Sequence, residues 1–124
     1  MMSRTPPHPT REQIELPLVL DCLSDPIRLA IVYQLAQQER VSSELCCGDF
    51  NGLSGKSNLT YHFAKLRDCG LMQTRLAGTN RFMRLRRDDL EARFPGLLDA
   101  VLKSAAKDAD RLQLMPACDV VKVD

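Results

Sequence analysis

The sequence predicts a mainly α fold with a small β-hairpin, and three observations predict it. Apolar residues recur at three- and four-residue spacing over Ile27–Leu35, Leu59–Leu66 and Leu97–Ala105, the period that gives a helix one buried stripe. After Gly70 the period changes, and two short segments alternate in part, as paired strands do. Glycine and proline punctuate the pattern at Pro26, Gly70 and Pro95, where a helix is expected to start, stop or break.

A chain of 124 residues, 44% apolar, suffices for one domain with one modest core. No run approaches the ~18 apolar residues of a membrane span. The N-terminus, MMSRTPPHPTREQ, has no apolar core of a secretory signal, so a cytoplasmic location is expected. There the five cysteines are expected to stay reduced. Their odd number, irregular spacing and lack of a CxxC pair argue against a disulfide framework.

Residues 1–10 hold three of the seven prolines and few apolar groups, and are expected to be a disordered leader. The folded domain is expected over 11–108, with a patternless tail at 109–124. Thr10 to Leu23 suggests a first helix, in which Pro17 marks either a kink or a start. Asp25-Pro26 is a cleaner signal, an N-cap carboxylate followed by a proline at N1, where no N–H is needed. The helix after it puts Ile27, Ala30, Ile31, Gln34 and Leu35 on one stripe, broadened by Leu29 and Val32. This is the expected central core helix. Arg28 on it faces either acidic parts of the chain or a phosphate, and the pattern leaves both open.

Val41–Cys47 reads as a short third helix with Glu44 in its first turn, where the macrodipole favours a carboxylate. GDFNGLSG then makes a turn. The following stretch, residues 54–69, reads as a helix capped by Ser54 and stopped by Gly70. Leu59, Phe63 and Leu66 form its buried face. Its other face carries Lys56, Ser57, Asn58, Thr60, Tyr61 and Lys65, with no carboxylate. Such a face offers hydrogen-bonding groups and positive charge to a phosphate-lined groove, or else simply meets water.

Leu71–Leu76 and Arg81–Leu85 read as two strands joined by a tip at Ala77-Gly78-Thr79-Asn80. Two helices across a turn followed by such a ribbon make a winged helix-turn-helix. The wing presents Thr79, Asn80 and Arg81 at or beside its tip. Pro95 divides residues 87–107 into two helical pieces, the second with the stripe Leu97, Leu98, Val101, Leu102 and Ala105. That stripe packs within the chain or forms a dimer face with the other terminal helix.

The net charge of +1 hides an uneven distribution. Residues 54–87 carry eight basic side chains and one acidic one, a local +7 that leaves −6 elsewhere. A basic segment in an otherwise acidic chain is an expected footprint of nucleic-acid binding.

Three segments carry a resemblance to a known family. LSDPIRLAIVYQL, LSGKSNLTYHFAKLRDCGL and TRLAGTNRFMRL, spanning about residues 15–107, resemble the signatures of ArsR-family winged-helix repressors. The resemblance implies a homodimeric transcription regulator bound to a double-stranded DNA operator and released by a ligand. It implies that Lys56, Ser57, Thr60 and Tyr61 read DNA, with Asn58 and Lys65 close by and His62 near the same face. The metalloid-sensing members carry E-L-C-x-C-D-L, where this chain has Glu44-Leu45-Cys46-Cys47-Gly48-Asp49-Phe50. Gly48 stands where the second thiolate belongs, leaving Cys46 and Cys47 as weak metal candidates and no cofactor or effector implied with them. The histidines required by zinc sensors are missing from the last helix, because the chain holds only His8 and His62.

Two other functions compete. A winged-helix protein-interaction module without DNA binding would share the fold, but the basic segment argues against it. An enzyme would need a nucleophile beside a base, and neither the Cys46/Cys47 pair nor any GxSxG elbow supplies one.

Overall fold

Asp25 starts the central helix as its position demands. Its Oδ1 accepts hydrogen bonds from the N–H groups of Ile27 (2.8 Å) and Arg28 (3.2 Å), two donors left over in the first turn. The helix it begins, α2, runs Pro26–Gln38. In the computed structural model, which describes residues 7–39, 45, 46, 50, 52 and 54–108, six consecutive α2 residues from Ala30 to Leu35 are buried. A single stripe was expected, but the middle of α2 is covered on every side. Tyr33, outside that stripe, packs with Ala30 and Ala105.

The segment before α2 is divided. A 3-10 turn at Arg11–Gln13 precedes α1, Leu16–Leu23, and Ile14 and Glu15 between them are extended. Pro17 lies in the first turn of α1 and marks a start. Its ring disfavours helical geometry in the residues before it, so a helix cannot run through from Thr10.

Leu45–Cys46 corrects the expected third helix. These two residues form a strand, β1, antiparallel to Met83 and Phe82. The rest of that expected helix, residues 41–44 and 47, lies outside the described residues, as do Cys47 and Gly48 of the metal-motif comparison. Pairing with an existing sheet edge outweighed the weak helical signal of a short segment.

Helix α3 spans Lys56–Asp68 and is capped at Gly55 rather than Ser54. Ser54 instead accepts a hydrogen bond from Asn58 Nδ2 at 2.6 Å. The stop is as expected. Gly70 has φ +89°, Leu71 N donates to Leu66 O (3.1 Å) and Gly70 N to Arg67 O (3.2 Å), the paired bonds of a Schellman motif. A Cβ at Gly70 would come within 2.5 Å of Ile14 Cγ1, so space as well as backbone conformation requires glycine here.

β2 (Met72–Ala77) and β3 (Asn80–Leu85) form the hairpin, and the three-stranded sheet has the order β1-β3-β2. Gly78 takes φ +63° at the first position of the two-residue tip, as a tight hairpin turn requires. Met72 pairs with Leu85 and Thr74 with Met83 on the buried face. Gln73 with Arg84 and Arg75 with Phe82 occupy the other face, where the Arg75 guanidinium stacks 4.9 Å from the Phe82 ring centre. That stacking explains an aromatic residue on the outer side of a basic ribbon.

Helix α4 (Arg87–Arg93) and helix α5 (Leu97–Lys107) are divided at Pro95-Gly96 as expected. The α5 stripe turns inward. Leu98 and Ala105 are buried, and Leu97, Val101 and Leu102 pack against the core. One apolar cluster therefore joins α1, α2, α3, the hairpin and α5, with Ile14, Ile31, Leu66 and Leu71 at its centre. The end of the expected leader is held as well. His8 Nε2 accepts from the Thr74 N–H (3.0 Å), and Pro9 O accepts from Arg86 (2.8 Å).

Candidate nucleic-acid interface

Helix α3 buries Leu59, Phe63 and Leu66 and turns Ser57, Asn58, Thr60, Tyr61 and Lys65 outward. Phe63 is fixed by the Phe50 ring, edge-on at 5.6 Å between centres. The backbone of Lys56 opens the helix, while its side chain lies outside what is described. Tyr61 is an exposed large hydrophobic side chain on α3, at 54%. Lys65 Nζ stands 5.6 Å from the Tyr61 ring centre, so an aromatic plane and a cation project side by side. Lys65 and Arg67 occupy the last turn, where positive charge suits the negative end of the helix.

His62 departs from the rest of the expected set. It is 5% exposed and lies beneath the outward face, its ring edge-on to Tyr61 at 5.4 Å. Its Nδ1 is 3.2 Å from Arg28 NH1. A guanidinium only donates, so Nδ1 carries the lone pair and the proton sits on Nε2. Burial, and secondarily the Arg28 charge, holds the imidazole below its ordinary pKa, whereas Asp25 acts in the other direction. His62 thus supports the α3 surface from behind. The helical period alone does not separate it from its exposed neighbour, because position 62 sits at the border between the two faces.

Arg28 faces neither of the partners the sequence suggested. Its Nε donates to Cys22 O at 2.9 Å, and its other arm meets His62. One side chain therefore ties the end of α1 to α3.

The wing presents Thr79, Asn80 and Arg81 exposed at and beside its tip, with Arg75 and Arg84 exposed farther along. The basic footprint is smaller than its count suggested. Arg86 is 7% exposed and pairs with Asp89 at 2.9 Å. Arg87 pairs with Glu39 (2.9 Å) and Asp99 (3.1 Å). Those two cations hold α4 in place. The outward basic groups are Lys65 on α3 and Arg75, Arg81 and Arg84 on the hairpin, two neighbouring elements whose one exposed acidic side chain is Asp68 at the end of α3.

Cys46 lies on β1, its backbone opposite Phe82, and its side chain is not described. Among the described residues no group of three or more His, Cys, Asp or Glu side chains comes together. Also among them, no helix is long and apolar enough to cross a membrane.

No family model matches the chain. The chain is 33% identical over 85 residues to the uncharacterized HTH-type transcriptional regulator YceK of Bacillus subtilis (strain 168). The match covers 67% of this chain and 82% of that protein. This chain is an HTH-type transcriptional regulator. The regulator is accordingly a DNA-binding protein and not an enzyme, and its helices with their hairpin form a winged helix-turn-helix.

Proposed function

We propose that this regulator is an ArsR-family repressor that binds its operator as a homodimer. Helix α3 enters the major groove, with Tyr61, Thr60, Asn58 and Ser57 directed at base edges and Lys56 and Lys65 at phosphates. The wing carries Thr79, Asn80 and Arg81 to the backbone or the adjacent minor groove. The observation that carries this reading is the outward face of α3. Five of its polar side chains are open to solvent, no carboxylate lies among them, and the exposed arginines of the hairpin flank it. His62 is left out of the contact set because it is buried.

The dimer is supported by the apolar surface that remains uncovered. Leu16, Leu18 and Leu20 on α1 are 39%, 51% and 46% exposed. A two-fold dimer joined through α1, with α5 beside it, sets two α3 helices against half-sites about 34 Å apart.

The test is fluorescence anisotropy with labelled duplex from upstream of the gene, set against a random duplex of equal length over a salt series. The reading expects tighter binding to the upstream duplex and a steep loss with salt on both. Equal affinities at every salt concentration would remove sequence reading from α3.

A further inference from the structure

A cleft of about 390 Å³ opens where α2, the start of α4 and α5 meet. That is the size of a site for a small organic molecule. Tyr33 and Leu102 give it an apolar floor, and alanine at positions 36 and 106 leaves the space unfilled. The rest of the lining is polar. Arg87 Nε donates to Glu39 Oε1 at 2.9 Å, with Nη2 also 2.9 Å from that oxygen, and Nη1 donates to Asp99 Oδ1 at 3.1 Å. A guanidinium carries five N–H groups in a fixed fork, so donors remain on Arg87 for a further acceptor. Lys103 on α5 lines the same cleft, is exposed, and forms no ion pair among the described residues. Among the described lining residues two cations thus accompany one carboxylate, Glu39, which is already bound to Arg87. None of these groups belongs to the outward face of α3 or to the hairpin.

We propose that this cleft is a binding site for a small aromatic carboxylate. The carboxylate lies between Lys103 and the spare donors of Arg87, and the ring rests on Tyr33 and Leu102. Charged donors select an anionic acceptor, because hydrogen bonds between ionised groups are the strong ones. The apolar floor selects the ring, since it removes apolar surface from water and gives Tyr33 an aromatic partner. A hydrated inorganic anion would meet the same cations but leave that floor uncovered.

Occupancy reaches the wing through Arg87. Glu39 is the C-cap residue of α2, and Arg87 opens α4 just after β3 ends at Leu85. Between them the Arg86 N–H holds Leu71 O at 3.0 Å, where β2 is about to begin. The Arg87–Glu39 clamp therefore fixes the base of both wing strands against α2. A ligand carboxylate competes with Glu39 for the guanidinium and so favours the state in which the clamp is open. The consequence for DNA rests on the reading of α3 and the wing as the DNA-contacting elements, but the binding site itself does not.

The experiment uses the full chain. Benzoate, phenylacetate and cinnamate are titrated into it by isothermal calorimetry, with benzamide as the uncharged counterpart and acetate as the carboxylate without a ring. The proposal expects saturable binding of at least one aromatic acid, one per chain, with benzamide and acetate weaker by about tenfold or more. Lys103→Met removes a charge and Ala106→Leu fills the space, and each should lower that affinity by about tenfold. Their thermal midpoints should stay within about 4 °C of the unaltered protein, which shows that both fold. The tightest acid, added to the complex with the upstream duplex, should lower operator affinity by about tenfold. Absence of saturable binding, equal binding of benzamide, or binding that both variants leave unchanged overturns the site. Binding that leaves operator affinity within about twofold overturns its coupling to DNA. If the protein does not prefer the upstream duplex, it is the reading of α3 that fails, and the calorimetry alone decides whether the site exists.

Discussion

Arg28 NH1 stands 3.2 Å from His62 Nδ1, while its Nε holds the Cys22 carbonyl at 2.9 Å. The exposed part of α3 is therefore positioned by a buried contact that works only while the imidazole is neutral. His8, whose Nε2 accepts from Thr74 on the hairpin, works under the same condition. Burial is the main cause of lowered pKa at both histidines. For His8 the cations Arg67 and Arg86 add to it.

The pH dependence follows in sign. Both imidazoles have folded values below the ordinary 6.5, so the unfolded chain binds more protons as the solution is acidified. The stabilisation is complete above about pH 6.5 and drains away as the pH falls through the lowered values. Urea unfolding at pH 7.5 and 5.5 should show a lower midpoint at the acid pH. The double variant His8→Gln/His62→Asn keeps an acceptor near each position and cannot titrate, so its midpoints should lie closer together. An equal drop in the variant would assign the loss to other groups.

On the proposed DNA face, Lys65→Ala should weaken binding to all duplexes and reduce the slope of log affinity against log salt by about one per protomer. Tyr61→Ala should act differently, narrowing the gap between operator and random DNA by about 1–2 kcal/mol. Anisotropy over a salt series reads both. A Tyr61 variant that loses equally on the two duplexes has lost general contact and not discrimination.

Gly70→Ala forces a side chain into φ +89° and against Ile14, 2.5 Å away. The left-handed backbone costs about 1–2 kcal/mol, and crowding a filled core adds about 1–3 kcal/mol. Equilibrium unfolding should show a loss of about 2–5 kcal/mol. A cost under about 1 kcal/mol would mean that the α3 cap rearranges freely.

Leu18→Glu and Leu20→Glu each place a charge on exposed α1 surface, on opposite flanks of its buried stripe, without touching the core. On the dimer reading, light scattering should report a dimer for the unaltered protein and monomers for the variants, with helical content by circular dichroism unchanged. Operator affinity should fall with the dimer, because the two half-sites are then read separately. An unaltered protein that is itself monomeric at micromolar concentration would end the dimer reading.

Much of the fold was legible because local rules set it. Asp25-Pro26 starts α2 where the cap chemistry requires, Gly70 ends α3, and the change of period after it marks the hairpin. The buried face of α3 follows from spacing alone. The failures also share a cause. Leu45–Cys46 is a strand because Met83 and Phe82 offer it an edge, and no local pattern contains that partner. Ser54 loses the cap to Gly55 because it bonds Asn58 instead.

The sequence by itself determined where α2 begins and where α3 ends, which residues of α3 can form a core, and that positive charge gathers in one segment. Capping, periodicity and composition act over a few residues, so each is written in the chain. Only the tertiary structure decided how those groups are used. It spent Arg86 and Arg87 on ion pairs within the fold, drew His62 inward to Arg28, and turned the α5 stripe onto the core while leaving leucines of α1 open. Contacts between distant residues depend on how elements pack, and packing is a property of the whole chain at once.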